Sequence, residues 1–254
     1  MFLWGIIQKN FVIKHIYRYT MMHLLDWFPR LPSYQAFNRR LNELAPAFQE
    51  LSAILLESPT LEMHHSAIGL IDSFPIILAK NYRSSQAKIA RELCSKTYSA
   101  SKGLWYYGMK LNVLGCAQFN HIPIPVIFLA STASAHDLTI AKEIFATSSH
   151  SLQKLYADKA YCDTDWKESL AQAGVQLHTP RKKPLGFDDV LYPKDFLSVL
   201  TCQIRQPIES FFNWLDEKTN IQHASKVRST KGLLSHIFGR IAAALCIMAL
   251  NFNT

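Results

Sequence analysis

Three apolar stretches limit what this chain can fold into: "SAIGLIDSF" from residue 66, "LWYYGMKLNVLG" at 104–115 and the run at 122–132 that ends in "FLAST". Each is rich in β-branched or aromatic residues and bounded by turn formers, the pattern of a buried strand. The last two are joined by the turn-like "AQFNHIP". Further on, helix and strand patterns alternate. "HDLTIAKEIFAT" reads as a helix capped by Asp137, "KLYADKAY" as a short strand, and "CDTDWKESLAQAG" as a helix stopped at Gly174. "VQLHTP" is a strand again, and after the basic loop "RKKPLGFDD" two helices follow. The first starts near Pro207 and carries Ile208, Phe211, Phe212 and Leu215 on one face; the second runs from about Thr230 to Leu250. Three strands, then helix alternating with strand, then helices predict an α/β fold, a mixed sheet with covered faces.

Residues 1–60 differ in texture and read as helical. "LPSYQAFNRRLNELAPAFQELSAILLES" places Tyr34, Phe37, Leu41 and Leu44 at helical spacing behind Ser33 as N-cap, and Pro46 starts a second helix. This small region, with Arg39 and Arg40, suits DNA binding and equally a packing appendage. The N-terminal "MFLWGIIQKNFVIKHIYRY" has no basic lead and no small-residue cleavage site, so it makes a poor signal peptide. The C-terminal "IAAALCIMALNF" is expected to be too short to span a bilayer. Together these predict a soluble chain with no membrane partner.

Charge narrows the partners. The formal net charge is +8, and its distribution is uneven. Between Asp72 and Asp137 the only acid is Glu92, and after Glu217 there is none. Such an excess favours a polyanion, nucleic acid first and an anionic membrane surface second. The five cysteines are scattered, odd in number and never paired as Cys-x-x-Cys, which argues against a disulfide framework or structural zinc and for a reducing cytoplasm.

One residue is out of place in the first apolar run. Asp72 puts a carboxylate where side chains should be buried, at a cost of several kcal/mol unless something compensates it. It either closes the strand, opening a turn before Pro75, or has cationic partners. Two other carboxylates stand at suggestive places: Asp158, read as closing a later strand beside Lys159, and Glu209, read as lying in the first turn of a helix with Arg205 four residues ahead. For Glu209 the helix dipole alone is a sufficient explanation. Carboxylates gathered on one spot repel and take up protons, whereas a divalent cation reverses this because hard ions want oxygen ligands.

The ordered set "IDSFPI", "ADKAY" and "RQPIESFFNWL", followed by "KVRSTKGLLSHIFGRIAAAL", resembles the DDE transposases of bacterial insertion sequences. The likeness runs from about Leu31 to the C-terminus. It implies a ribonuclease H-like catalytic domain over residues 61–254, with Asp72 in an Asp-x-x-Pro setting, Asp158 as the second acid and Glu209 in an Arg-x-x-x-Glu setting. It further implies that the three acids hold Mg²⁺ or Mn²⁺, two ions in all, for cleaving and joining double-stranded DNA at element ends. Arg83, Lys88, Lys159, Arg181, Lys182, Lys183, Arg205 and Lys218 are the candidates for DNA contact. A homo-oligomer on DNA and a cytoplasmic, nucleoid-associated location follow from the same likeness. The chain departs from the pattern in three ways. Ala157 and Ala160 replace glycines around the second acid, which is harmless only where φ is negative. Asp216 stands where relatives often carry a lysine seven residues after the Glu. The region before residue 60 is short for such an enzyme. The alternatives are a decayed or truncated copy that binds DNA without cutting it, and a nuclease of the same fold without strand transfer.

Overall fold

The computed structural model describes residues 1–63, 65–100, 102–147, 151–181 and 195–252. Of the expected sites, Lys182 and Lys183 lie outside the described residues. The chain divides into two compact units. One comprises residues 1–63, 76–109 and 213–254, and the other 64–75 and 110–212.

The order opens with five helices: α1 (Phe2–Ile7), α2 (Ile13–His23), α3 (Tyr34–Glu43), α4 (Ala45–Leu56) and α5 (Pro59–Glu62). Strand β1 (Ile68–Lys80), helix α6 (Tyr82–Gln86) and strands β2 (Ser95–Ser99), β3 (Leu104–Gln118) and β4 (His121–Thr132) follow. Then come α7 (Asp137–Thr147), β5 (Lys154–Tyr156), a short 3-10 helix (Lys159–Tyr161), α8 (Thr164–Gln172), β6 (Gln176–His178), α9 (Phe196–Thr219) and α10 (Thr230–Phe252). The strands form one six-stranded mixed sheet in the order β2-β3-β1-β5-β6, with β4 also paired to β3. With its flanking helices this is a mixed α/β fold consistent with the ribonuclease H-like architecture expected.

Local chemistry explains most boundaries. Ser33 Oγ accepts the Ala36 N–H at 3.3 Å, and Asp163 Oδ1 accepts the Trp166 N–H at 2.8 Å, so both side chains cap the helices that follow. Gly174 takes φ +81° where α8 ends, a conformation that costs glycine nothing. Asn120, in the tight connection between β3 and β4, takes φ +57°. Behind β5, residues Ile71, Leu114, Ile144, Leu155, Trp166 and Leu177 close a core between sheet and helices. In the other unit, α10 packs on α1, α3, α4 and α5, with Phe2, Ile6, Ile16, Leu41 and Phe48 buried there.

Four expectations need correction. Asp72 does not close β1. The strand continues eight residues further, to Lys80, straight through Pro75. Pairing of β1 with β5 ends at Leu70↔Tyr156, and Ile77 uses its own N–H and C=O on Gln222 and Ala224. Pro75 falls after the last residue paired with β5 and before Ile77, so its missing N–H breaks no bond of the β1–β5 ladder. Second, β5 stops at Tyr156, because the Asp158 carboxylate takes the Lys159 N–H at 2.7 Å and turns the chain into the 3-10 helix.

Third, Pro207 does not start a helix. It lies inside α9, which begins eleven residues earlier behind Asp195, whose carboxylate accepts the Ser198 N–H at 2.7 Å. Glu209 is therefore mid-helix, and the helix dipole no longer accounts for it. An interior proline costs about 3 kcal/mol. Ile208, Phe211, Phe212 and Leu215 are each no more than 5% exposed, and at about 1.5–3 kcal/mol apiece their burial outweighs that cost. Fourth, the C-terminal apolar run belongs to a longer helix. Thr230–Asn251 is long and apolar enough to cross a membrane by length and composition, and 61% of its apolar window is buried inside the protein.

Candidate active site

The parallel register of β1 and β5 positions the first two acids. With Leu70 opposite Tyr156, Asp72 and Asp158 each come two residues after the last pair, at matching positions just beyond the paired stretch. Adjacent strands run about 4.8 Å apart, and the carboxyl ends of parallel strands are where open α/β sheets gather functional groups. Neither Ala157 nor Ala160 has positive φ, so the missing glycines impose no strain.

The third acid arrives on α9, which packs here through Phe212 stacked on Phe74 (5.1 Å between ring centres) and Phe211 beside Phe128 (6.3 Å). One turn before Glu209 on the same helix, Arg205 holds the cluster together. Its Nη1 donates to Asp72 Oδ2 at 2.6 Å and its Nη2 to Glu209 Oε1 at 2.6 Å. The Arg205 side chain is 14% exposed, Asp72 21% and Glu209 55%. Asp72 Oδ1 also accepts the Ser73 N–H at 2.8 Å. Arg205, expected to contact DNA, is thus engaged with two carboxylates, and its Nε is buried without a partner among the described residues.

Electrostatics tie the acids to each other. Burial pushes the Asp72 carboxyl up to about 6; Arg205 opposes the rise, while the Asp158 and Asp137 carboxylates add to it. Burial alone would lower Arg205, yet the carboxylates of Asp72, Glu209 and Asp158 leave it raised overall. The rise at Asp72 is thus the cost of burying its charge, which the Arg205 guanidinium offsets only in part.

Two participants escaped the sequence reading. Tyr161, at the end of "ADKAY", is buried, its hydroxyl has no hydrogen-bond partner among the described residues, and its ionisation is pushed well up by burial and then by Asp72, Asp137 and Asp158. The signal was its place in the motif. Asp137, read as a cap, opens α7 and is neutralised by Lys110, whose Nζ donates to it at 2.9 Å and to the Ala135 carbonyl at 3.0 Å. A lysine inside the apolar run of β3 was the clue.

The other expected DNA contacts are dispersed. Arg83 and Lys88 are exposed on and just after α6, and Lys218 lies 3.5 Å from Glu217 near the end of α9; all three belong to the unit of residues 1–63, 76–109 and 213–254. Lys159 and Arg181 are exposed in the unit that holds the acids.

The family described as "Transposase DDE domain" matches residues 62–230. The chain belongs to this transposase DDE domain family. Membership implies a protein that acts on DNA in transposition, and the family typically uses divalent metal ions. Among curated proteins and among solved structures, nothing matches the chain. Among the described residues, no three His, Cys, Asp or Glu side chains stand as a group that could hold a metal. The donor set nevertheless fits the ions the family uses: oxygen-only carboxylates, two of which already hold a cation between them, one of these raised to about 6 chiefly by burial. Arg205 occupies the position between two of them.

Proposed function

We propose that this chain is an insertion-sequence transposase that cleaves and joins double-stranded DNA at element ends, with Asp72, Asp158 and Glu209 as its catalytic acids. The observation that carries this reading is the junction at Arg205, where Asp72 and Glu209 share one guanidinium while Asp158 follows β5 at the register position that matches Asp72. Asp72, Asp158 and Glu209 would hold Mg²⁺ or Mn²⁺, two ions in all, which supply an activated nucleophile and charge stabilisation of the leaving oxygen.

The chain's own residues do the rest. Asp72 is fixed by the Ser73 N–H and by burial between sheet and helix, so its carboxylate is oriented before any ligand arrives. Glu209 is more exposed and attached through a flexible stem, so it can swing away from Arg205 at little cost. Arg205, once released, presents a planar fork suited to a phosphate, which restores the DNA-contact role the sequence suggested. Tyr161 keeps its hydroxyl neutral beside the acids, because burial and their charges push its ionisation well up. Arg83, Lys88, Lys159, Arg181, Lys182, Lys183 and Lys218 serve as phosphate contacts that position the duplex without reading its sequence, and residues 1–60 recognise the ends. The working form is a homo-oligomer on DNA in the bacterial cytoplasm, at the nucleoid.

The test is a cleavage and joining assay on DNA carrying the inverted repeats that flank the gene, with and without Mg²⁺ or Mn²⁺. Metal-dependent nicks followed by joined products are expected. Nicks without joining would mean a nuclease, and tight binding without nicks would mean a decayed copy.

A further inference from the structure

A pocket of about 480 Å³ lies in the unit of residues 1–63, 76–109 and 213–254, and none of the three acids is among the residues that line it. That volume falls in the range of small-molecule sites, roughly 300–1,000 Å³. Its wall includes apolar Phe2, Phe11 and Leu41. Its cations are Lys14, Lys226 and Arg228, all exposed, and Arg240, only 4% exposed. Among the described residues no carboxylate lines it.

Arg240 is the anomaly. It projects from the middle of α10, its Nη2 donates to the Phe11 carbonyl at 3.2 Å, and its guanidinium carbon lies 6.0 Å from the centre of the Phe2 ring. Its Nε is buried with no partner among the described residues. Buried arginines are almost always paired with an anion, because an uncompensated buried charge costs several kcal/mol. The carboxylate with the most influence on Arg240 is Asp216. That group is already committed: Oδ1 accepts the Gln222 N–H at 3.0 Å, and Oδ2 faces His223 Nδ1 at 3.8 Å. Among the described residues, Arg240 therefore has no carboxylate of its own. A guanidinium fork, three further cations and the amide and hydroxyl groups of Asn42 and Ser229 suit tetrahedral phosphate oxygens. The apolar wall suits a sugar and base.

We propose that this pocket is a phosphate-binding site for a ligand of nucleotide size, with Arg240 as its buried anchor. The ligand is either a nucleotide unit of the DNA the protein handles or a free nucleotide. The site does not depend on the assignment of the catalytic acids.

Calorimetric titration of the full chain with a deoxynucleoside 5′-monophosphate and with inorganic phosphate tests it. One saturable site is expected for the nucleotide and weaker binding for phosphate. Lys226→Ala combined with Arg228→Ala, both exposed and Arg228 bonded, among the described residues, only to the Ser225 and Val227 carbonyls of its own loop, should weaken the nucleotide at least about tenfold, the value of one charge-assisted contact. Arg240→Gln should abolish binding. If Arg240→Gln does not fold, the surface double variant decides. Displacement of the nucleotide by a short duplex assigns the site to DNA, and failure to displace assigns it to a free nucleotide. No binding of either probe to the wild type, or unchanged affinity in the double variant, overturns the proposal.

Discussion

At neutral pH the Asp72 carboxyl has to be ionised to serve as a ligand, yet burial pushes it up to about 6 from an ordinary 3.8, even with Arg205 at 2.6 Å. The sign follows from linkage. A carboxyl whose folded value lies above its unfolded one favours folding fully only below about 3.8, and the advantage is lost as pH rises to about 6. Above that the charge is a standing cost. At about 1.4 kcal/mol per pH unit, the gap amounts to about 3 kcal/mol. Asp72→Asn keeps the shape and the acceptor for the Ser73 N–H, removes the charge, and leaves Arg205 with Glu209. The ion pair with Arg205 is already counted in that gap; what offsets part of the gain, by about 1–2 kcal/mol, is the amide nitrogen that the substitution can turn towards Arg205 in place of a carboxylate oxygen. Urea unfolding in EDTA at about pH 7.5 should therefore find Asp72→Asn more stable than wild type by about 1–3 kcal/mol, shrinking towards zero near pH 4. A variant less stable than wild type at the higher pH would refute the reasoning, because the ion pair with Arg205 would then outweigh burial and Asp72 would be a structural residue.

Glu209→Gln should abolish DNA cleavage, whereas Asp216→Asn should leave it within about tenfold in the same assay, because Asp216 lies seven residues on, about 10 Å along the helix, with its carboxylate held by the Gln222 N–H. His236 donates through Nε2 to the Ile221 carbonyl, and burial lowers its pKa well below 6.5; stability is intact above that value and lost as pH falls, and His236→Gln should remove up to about 1.4 kcal/mol of loss per pH unit in acid denaturation. Pro207→Ala restores an N–H to the interior of α9 and should raise stability by about 1–3 kcal/mol in urea titrations. Affinity for duplex DNA should fall steeply between low and moderate salt, by about one power of salt concentration for each phosphate neutralised; a flat response would count against a phosphate-dominated interface.

Much of the sheet was legible because its strands are long apolar runs, and β3 and β4 appear where their β-branched and aromatic residues predict. What misled was punctuation. Asp72 and Pro75 together look like a strand end, but Pro75 falls beyond the stretch paired with β5, a tertiary fact no local pattern carries. Pro207 looks like a helix start for the same kind of reason, and the apolar stripe beyond it is what lets α9 run through. The three acids were recognisable by order and setting, but not by the geometry between them: the equivalence of Asp72 and Asp158 depends on the register of two strands more than eighty residues apart. The double engagement of Arg205 was half legible, since its i,i+4 relation to Glu209 can be read directly, while its contact with Asp72 spans 133 positions. Tyr161, Asp137 and Lys110 were missed because each has an ordinary local role that hides what it faces. The return of α10 to the N-terminal helices left no mark in the pattern of either segment.

The central claim, that Asp72, Asp158 and Glu209 form one metal-binding centre, is tested most directly by anomalous diffraction from crystals of the full chain soaked with Mn²⁺. Manganese bound by oxygens of all three carboxylates, with Arg205 moved off Asp72 and Glu209, is the result expected. Manganese bound elsewhere, with Arg205 still joining Asp72 to Glu209 at saturating Mn²⁺, would contradict it.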